Sequence, residues 1–544
     1  MHISRACESS LLIGALQLVL CRSVCGALRG KVEGDEGSDA WKACCRAEFG
    51  LVEPCLPPRL IVGGAQPSVL SFRAAWTSWR REFSDFYNTP EDIQVLQRSA
   101  RCWAELQRWL RANAPPIADS LAPGLSRIEV AALDPLARLP AAVRAIYRIH
   151  NGQPMTNGDH GVSIATPINL DPDSEQVHSA WNGIFGGYIF YDHVVNLRMP
   201  TLETAIEFGK QWSKKIAKVA SKEDQPDLPL TFALSILTGR RRPAKMYVLH
   251  NKTGELYLPR DDNTLLRCLH PMAAMTAQGA VIYAQSSDMP AHKESQDGGG
   301  ARSSEDGDPL PLTLSHSKHL RDGALRWLEA YAAQLSRNNY AVSPYLKEEL
   351  DWGGRAMGIS LYPRKAPMCA ACITRNIRIE ASAMFVPEKS RKGKFFFSYR
   401  MLMSLVDAEE DSTTESSLSS AQLITRHLVF DQGPGLEPVV VDGEAVIGEF
   451  PHLLTGGSFA GGQDFEYAGK RRVTEYSYAS CTEMPTAHGS LSGSFRFIPG
   501  SIDSPTGMRL PACMVYLWGS DASAADAVRM LLPCAVHIDK GWRR

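Results

Sequence analysis

The stretch FFFSYRMLMSL, residues 395–405, carries a large apolar side chain at every second position: Phe395, Phe397, Tyr399, Met401 and Met403. Successive side chains of a β-strand point to opposite faces, so this period places the five on one face. IRIEASAMFV (377–386) repeats the pattern, and so does GSLSGSFRF (489–497), with Leu491, Phe495 and Phe497. Three such strands predict a half-buried antiparallel sheet and, with it, a β-sandwich in the C-terminal part.

Upstream of Trp352 the apolar period is helical or mixed. RCWAELQRWL (101–110) places Cys102, Trp103, Leu106, Trp109 and Leu110 on one helical face, which is typical of a core-facing helix. Residues 125–270 mix helices and strands. The polar, glycine-rich AHKESQDGGGARSSEDGD (291–308) predicts a flexible linker. A short helix with Leu325, Leu328, Ala332 and Leu335 on one face is expected after it.

Length and charge limit the function classes. A chain of 544 residues is expected to fold as several domains. It has 58 basic and 59 acidic residues, and its one short basic stretch is GRRRPAK (239–245), so nothing predicts nucleic-acid binding. No apolar run reaches the roughly 18 residues that a membrane-spanning helix needs. The 13 cysteines are an odd number and favour reduced thiols over a disulfide framework.

The first thirty residues allow two interpretations. An early arginine, an apolar run from Leu11 to Leu20 and small residues after it outline a secretory signal peptide. The same stretch also fits a buried amphipathic helix, because Leu12, Ala15, Leu16, Val19 and Leu20 recur at helical spacing.

The stretch VVVDGEAVIGEFP (439–451) raises the question of a phosphate-binding loop. Such a loop needs a following helix, whose amino terminus supplies free N–H groups for the anion. Here Pro451 and a glycine-rich stretch follow Gly448, with no Lys-Ser or Lys-Thr pair. The sequence therefore predicts a turn between paired strands that binds no nucleotide.

No catalytic or metal-binding set is evident. CAAC (369–372) is a single CxxC, and in a strand its two side chains point to opposite faces. His150, His193, His427 and His488 are scattered and are expected to be structural. We therefore expect no enzyme activity, no cofactor and no metal.

Three quoted stretches resemble the ApaG domain over residues 356–520: ITRHLVFD (424–431), VDGEAVIGEFP (441–451) and SCTEMPTAHGSLSGSFRFIPG (480–500). The resemblance implies a fibronectin-III-like sandwich with structural or ligand-facing motif residues at Arg426, His427, Gly443, Gly448, Pro451 and Gly493. The chain departs from the family pattern at Leu428 and at Ala445, where bacterial members carry a glycine. AGKRRVTEYSY (468–478) is expected to be an insertion that forms a solvated hairpin tip.

The middle region resembles the SUKH (Smi/Knr-like) superfamily over residues 128–290. LPAAVRAIYRIHNGQ (139–153) is similar to its leucine-proline helix ending in Asn-Gly, and GIFGGYIFYDHVVNLRMP (183–200) to its central sheet. Members of that superfamily are mostly protein-binding modules.

The amino-terminal stretch LCRSVCGALRGKVEGDEGSDAWKACCRAEFGL (20–51) resembles the second half of an F-box, and RCWAELQRWL resembles the helix that follows it in plant-type Skp-interacting F-box proteins. That group combines an F-box with SUKH-like and ApaG domains. The resemblance implies contacts with the Skp adaptor through Leu12, Leu16, Leu20, Val24, Cys25 and Trp41. The usual first F-box helix is replaced here by residues 1–20, so weaker Skp binding is expected.

The sequence thus predicts a multidomain α+β protein. We expect an incomplete F-box-like segment (1–55), a helical linker (56–127), a SUKH-like domain (128–290), a flexible linker and helix (291–355), an ApaG domain (356–520) and a tail (521–544). The implied function is that of a substrate-recognition subunit of an SCF-type E3 ubiquitin ligase, with Skp, cullin and an unidentified protein substrate as partners and a cytoplasmic or nuclear location. The alternatives are a partner-binding protein without F-box function, a nucleotide or pyrophosphate hydrolase of the ApaG type, and a secreted protein.

Overall fold

The chain is seen in a computed structural model. It describes residues 35–61, 70–154, 156–157, 160–161, 183–191, 193–219, 230–235, 245–250, 254–259, 265–268, 283–284, 321–344, 357–365, 368–391, 393–406, 418–433, 435–455, 465–467, 470–486, 489–501 and 514–515. Residues 1–34, on which both interpretations of the amino terminus depend, and all of residues 291–320 of the expected linker lie outside these ranges.

A helical layer begins the described chain. Its helices are α1 (Asp35–Phe49), α2 (Phe72–Glu82), α3 (Pro90–Asn113), α4 (Pro115–Asp119), α5 (Arg127–Leu133) and α6 (Ala141–Ile149). The Thr89 hydroxyl accepts a hydrogen bond from the Asp92 N–H at 3.1 Å, and Pro90 occupies the first helical position, so α3 has a well-defined start. The tryptophan-rich faces point inward as predicted, with Trp76, Trp79, Cys102, Trp103, Leu106 and Leu110 buried.

The end of α6 confirms the predicted Asn-Gly turn. Gly152 has a φ of +64°, and a Cβ there would lie 2.4 Å from the Pro200 carbonyl oxygen. The Asn151 side chain accepts a hydrogen bond from the Leu202 N–H at 2.9 Å. This turn therefore fixes the start of the next helix, α7 (Leu202–Val219).

The middle sheet has the strand order β10-β11-β3-β4-β5-β6-β7-β8-β9 among the described residues. The strands β1 (Thr156–Asn157) and β2 (His160–Gly161) form a separate short hairpin. The strands of the sheet are β3 (Gly187–Phe190), β4 (His193–Arg198), β5 (Thr231–Ser235), β6 (Lys245–His250), β7 (Glu255–Pro259), β8 (Leu265–Cys268), β9 (Tyr283–Ala284), β10 (Ala341–Pro344) and β11 (Met357–Ser360). All neighbours pair antiparallel except β11 and β3, which pair in parallel. The strands predicted within 183–200 are β3 and β4.

The helix expected within 291–355 is present, and it packs against the middle domain. The helix α8 (Gly323–Ser336) was placed with the flexible linker 291–355, but Trp327, Leu328 and Tyr331 are fully buried against the middle domain. Arg98 of α3 ties α8 to the helical layer through its guanidinium, 2.6 Å from Glu329 and 2.5 Å from Asp322. The strands β10 and β11 then complete the sheet. Residues 321–344 and 357–360 therefore pack with the middle domain.

The C-terminal part consists of two sheets around one apolar core. The first has the order β12-β13-β14-β20, from β12 (Cys369–Thr374), β13 (Ile377–Phe385), β14 (Phe395–Leu405) and β20 (Glu475–Met484). In the second, β18-β19-β17-β15-β21-β22, the strands are β15 (Ser420–Asp431), β17 (His452–Leu454), β18 (Phe465–Tyr467), β19 (Lys470–Val473), β21 (Ser490–Pro499) and β22 (Met514–Val515), and β16 (Val439–Glu444) also pairs with β15. The alternation predicted from β13, β14 and β21 is confirmed, because those apolar faces meet in the shared core. The finer fibronectin-III-like and SUKH-like assignments stay predictions.

The opposite face of β14 is also covered, although a half-buried sheet was expected. Phe396 packs against the core of the middle domain, with its ring 5.8 Å from that of Phe190. Ser398 is fully buried, and its hydroxyl lies 2.7 Å from the Tyr362 hydroxyl. The sandwich is therefore packed against the middle sheet through β14 and β20.

The expected insertion at 468–478 is a hairpin only in its first part, where β18 and β19 pair antiparallel. Its first part forms β19, which pairs with both β18 and β17. Its last part begins β20, where Tyr476 and Tyr478 are buried in the core. Deleting residues 468–478 would therefore remove core side chains, and the end of this stretch is not a solvated tip.

The described cysteines depart from the expectation of reduced thiols at one position. Cys372 is disulfide-bonded, whereas Cys44, Cys45, Cys55, Cys102, Cys369 and Cys481 are free. The two cysteines of CAAC are therefore not bonded to each other. In the described part of the chain, no helix is both long and apolar enough to cross a membrane.

Candidate partner-binding surfaces

A turn follows β16 as predicted, but the strands on its two sides do not pair with each other, because β16 and β17 both pair with β15. Val446 and Glu449 exchange two main-chain hydrogen bonds, of 2.9 and 2.8 Å, around Ile447 and Gly448. Both central residues have positive φ, 51° and 79°, which is the conformation of a two-residue type I′ hairpin turn. The strand β17 follows rather than a helix. The geometry thus lacks the helix amino terminus that a phosphate site of this type needs.

Arg426 has a structural role in this turn. Its Nη1 donates a hydrogen bond to the Glu444 carbonyl oxygen at 3.2 Å and another to that of Ala445. The guanidinium lies over Gly443, where a Cβ would be 3.4 Å from Nη2. Ala445 has a φ of 60°, so an L side chain lies there in a left-handed conformation.

The other motif residues hold the sheet together. Gly493 allows β21 to approach β15 closely, because a Cβ there would lie 2.2 Å from the His427 carbonyl oxygen. The Pro451 carbonyl accepts a hydrogen bond from the Leu423 N–H at 3.0 Å. Gly448 has open space around it and serves the turn through its backbone conformation.

His427 is the motif residue with an exposed side chain. Its Nδ1 lies 2.5 Å from Asp442 Oδ1 across the β15–β16 pair, and the two side chains are 47% and 69% exposed. An ion pair this exposed contributes little to stability. His427 and Asp442 are therefore open to a partner, and no sequence pattern distinguishes them from the structural motif residues.

Most residues assigned to Skp contact cannot be placed. Leu12, Leu16, Leu20, Val24 and Cys25 lie outside the described residues. Trp41 is described, and it is 5% exposed with its ring 5.1 Å from that of Trp76. Its side chain faces the helical layer, while Lys42, Ala43 and Arg46 form the exposed face of α1. A direct Skp contact by Trp41 stays a prediction, and its burial gives it a structural role as well.

A buried polar cluster joins the middle sheet to the sandwich. Glu388 lies between β13 and β14, and its Oε1 accepts hydrogen bonds from the Tyr188 hydroxyl and from His193 Nε2, the latter at 2.9 Å. Lys245 Nζ lies 3.2 Å from Glu388 Oε2 and donates to the Tyr188 hydroxyl at 3.2 Å. The Lys245 side chain is fully buried, and those of His193 and Glu388 are each 5% exposed. We call these four residues the junction cluster.

The junction cluster keeps a carboxylate charged in the interior. Burial by itself raises the pKa of Glu388, but the nearby Lys245 charge and the hydrogen bonds from His193 and Tyr188 outweigh it and lower the pKa from 4.5 to about 2. The pKa of Tyr188 is shifted in the opposite direction, because burial and the Glu388 charge raise it. The cluster is a buried ion-pair network that ties the middle sheet to the sandwich. Sequence analysis missed it because its members come from separate segments with no shared spacing.

Within the described residues, no group of three or more His, Cys, Asp or Glu side chains has the geometry to hold a metal ion. His150 is buried beside Trp103, with ring centroids 4.8 Å apart. Burial lowers the pKa of His150 from 6.5 to about 4. Its ring nitrogens contact the Gln107 side chain at 2.6 Å and the Ala122 carbonyl at 3.3 Å, which is a structural arrangement as expected.

Comparison with known proteins agrees with two of the resemblances. No protein-family profile matches the chain. F-box protein SKIP16 from Arabidopsis thaliana is 25% identical over 502 residues, which cover 91% of this chain and 92% of that protein. Protein ApaG from Anaeromyxobacter dehalogenans is 29% identical over 129 residues, which cover 24% of this chain and 81% of that protein.

Among solved structures, one assigned to the ApaA protein of Bordetella pertussis aligns at 18% identity with a TM-score of 0.20, over 27% of this chain and 95% of that one. A TM-score this low supports no structural argument. The sequence comparisons confirm the predicted resemblance: the chain is similar to an F-box protein over nearly its whole length, and about a quarter of it is similar to ApaG proteins.

Proposed function

We propose that the chain is the substrate-recognition subunit of an SCF-type (Skp, cullin, F-box) E3 ubiquitin ligase and performs no chemistry of its own. The observation that carries the proposal is the similarity to an F-box protein over 91% of the chain. Its partners would be the Skp adaptor, a cullin and a protein substrate, and its location the cytoplasm, the nucleus or both.

The packing of α1 supports an adaptor role. Trp41, Cys45 and Phe49 recur at helical spacing and are buried against α2, where the Phe49 and Trp79 rings stack with centroids 5.1 Å apart. The Cys45 thiol donates a hydrogen bond to the Phe72 carbonyl at 3.2 Å. An adaptor bound at or before α1 would therefore be held against the body of the protein rather than on a loose tether.

The junction cluster supports the same role from the other end. It fixes the sandwich to the middle sheet, so a substrate bound to the sandwich would keep a defined position relative to α1. Holding a substrate near a ubiquitin-loaded enzyme raises the effective concentration of its lysines. The proposed function thus needs rigid geometry rather than a catalytic residue.

Direct binding to purified Skp adaptor tests the proposal. Replacing Leu16 with Asp removes an apolar contact worth roughly 1.5–3 kcal/mol, so Leu16→Asp should weaken Skp binding by at least about tenfold. Ile128→Asp is the matched control, because Ile128 is 80% exposed on α5 and away from the amino terminus. If the unaltered chain does not bind Skp, or if Leu16→Asp binds as well as the control, the adaptor proposal fails.

A further inference from the structure

The strand β16 lies at an open edge of the sandwich. It pairs with β15 over residues 425–430, while β17 pairs with the same flank of β15 over 420–422. Among the described residues, no strand pairs with the other side of β16. An edge strand carries main-chain N–H and C=O groups that can accept a further strand.

The register shows which main-chain groups face outward. The Ala445 N–H donates to the Ile424 carbonyl at 2.8 Å, so the pair 424/445 is hydrogen-bonded. Along an antiparallel pair of strands, hydrogen-bonded and non-hydrogen-bonded residue pairs alternate. Counting back from Ala445 by two residues at a time, the main-chain N–H and C=O groups of Gly443, Val441 and Val439 therefore point toward β15. Those of Val440 and Asp442 then point away from the sheet.

Exposed apolar side chains are concentrated along this edge. Leu436, Val439, Val440 and Ile447 are 41%, 47%, 51% and 48% exposed. They are four of the nine large apolar residues that are exposed in the described part of the chain, and they fall within twelve consecutive positions. Soluble proteins usually protect edge strands with charged side chains at such positions. Two adjacent exposed valines instead favour a partner.

The charge around the edge is acidic. Residues 432–455 contain Glu437, Asp442, Glu444 and Glu449 and neither lysine nor arginine. Glu437, Asp442 and Glu444 are exposed. The nearby Arg426 is engaged with the turn carbonyls. A partner with basic side chains is complementary to this surface, whereas nucleic acid would be repelled.

We propose that β16 is a docking strand for an extended peptide segment of a partner protein, in which apolar residues alternate with Lys or Arg. The peptide adds to the sheet through the outward main-chain groups of Val440 and Asp442, which supply affinity. Its apolar side chains cover Val439 on one face of β16, and its basic side chains lie near Asp442 and Glu444, which share the other face with Val440, so the alternation supplies selectivity. If the ligase proposal holds, the peptide is part of the substrate; only that identification rests on the proposed function.

The test uses the purified full chain without any ligase component, so its outcome is independent of Skp binding. The probe is a fluorescent, end-blocked peptide of about nine residues in which Val and Thr alternate with Lys and Arg. Saturable binding is expected, weakened at least about tenfold by the double change Asp442→Lys and Glu444→Lys and by added salt. A peptide with Glu in place of each basic residue should bind at least about tenfold more weakly.

Two further arms separate main-chain pairing from charge attraction. Val440→Pro removes an N–H that points away from β15, so it should abolish docking and leave thermal unfolding within a few degrees. Methylating the alternate peptide nitrogens that face β16 should also abolish docking, and it leaves the protein unchanged. This arm therefore still tests the proposal if Val440→Pro does not fold. The proposal is overturned if the peptide does not bind saturably, or if the methylated peptide binds as well as the unmethylated one. It is also overturned if this chain forms a dimer that Val440→Pro dissociates, because the edge would then bind a second copy of the chain.

Discussion

Replacing Glu388 with Gln should destabilise the protein more than any other single polar substitution at the junction between the two sheets. Gln keeps the shape of the side chain and can still accept hydrogen bonds from Tyr188 and His193. It removes the charge that faces Lys245, whose side chain is fully buried 3.2 Å away. The substitution therefore leaves an ammonium group in the interior without its counter-ion.

Two independent routes give the magnitude. Removing one partner of a buried ion pair costs about 3–5 kcal/mol. The pKa of Glu388 falls from 4.5 to about 2 on folding, and at 1.36 kcal/mol per pKa unit this corresponds to about 3 kcal/mol. Because the folded pKa is the lower one, this stabilisation is complete above pH 4.5 and is lost as the pH falls toward 2.

Urea unfolding at neutral pH, followed by circular dichroism, measures the effect. We expect Glu388→Gln to lower the free energy of unfolding by about 3–5 kcal/mol. The matched control is Glu483→Gln in the same sandwich, since Glu483 pairs with Lys394 at 2.6 Å with side chains 39% and 49% exposed. An exposed pair of this kind is worth about 1 kcal/mol or less. If the two variants lose similar stability, the junction cluster does not hold the domains together.

Four further outcomes are expected. Burial lowers the pKa of His150 from 6.5 to about 4. The free energy of unfolding should therefore fall by about 3 kcal/mol as the pH drops from 6.5 to about 4. The His150→Gln variant should not show this fall in acid unfolding. Ala445→Gly should raise the thermal stability by up to about 1 kcal/mol, since Ala445 has a φ of 60°; a loss of stability would show that the Ala methyl group contributes more than the strain costs. Gly493→Ala should unfold the sandwich in a thermal melt, because its Cβ would lie 2.2 Å from a carbonyl oxygen, and a native-like melt would refute the close approach. Calorimetry of the full chain with ATP and NAD should show no saturable heat; binding that Gly448→Val abolishes would restore the phosphate-loop hypothesis.

Local periodicity was sufficient to predict the strands of the sandwich. In β14 and β13 every second side chain enters the same core, so pattern and burial agree residue by residue. The turn at Gly448 was also predictable, because its sequence context excludes a following helix. These features depend on neighbours in sequence.

The features that sequence analysis missed depend on distant contacts. The helix α8 follows a long polar segment, and its own sequence does not indicate which core it joins. Trp327 packs against Phe185, about 140 positions earlier in the chain, with ring centroids 4.7 Å apart. The junction cluster joins Tyr188, Lys245 and Glu388 from three different strands and loops. Alternation along β14 could not reveal that its second face packs on another domain.

Proximity labelling in cells, with and without residues 1–34, tests the adaptor function most directly. The truncation ends before α1, because removing residues 1–55 would also delete Trp41, Cys45 and Phe49 from the core. If the adaptor function holds, the full chain should label Skp and cullin, and the truncated chain should lose both while keeping its thermal stability and its labelling of the partners that contact the sandwich. Equal labelling of Skp and cullin by the two chains, or none by either, would contradict it.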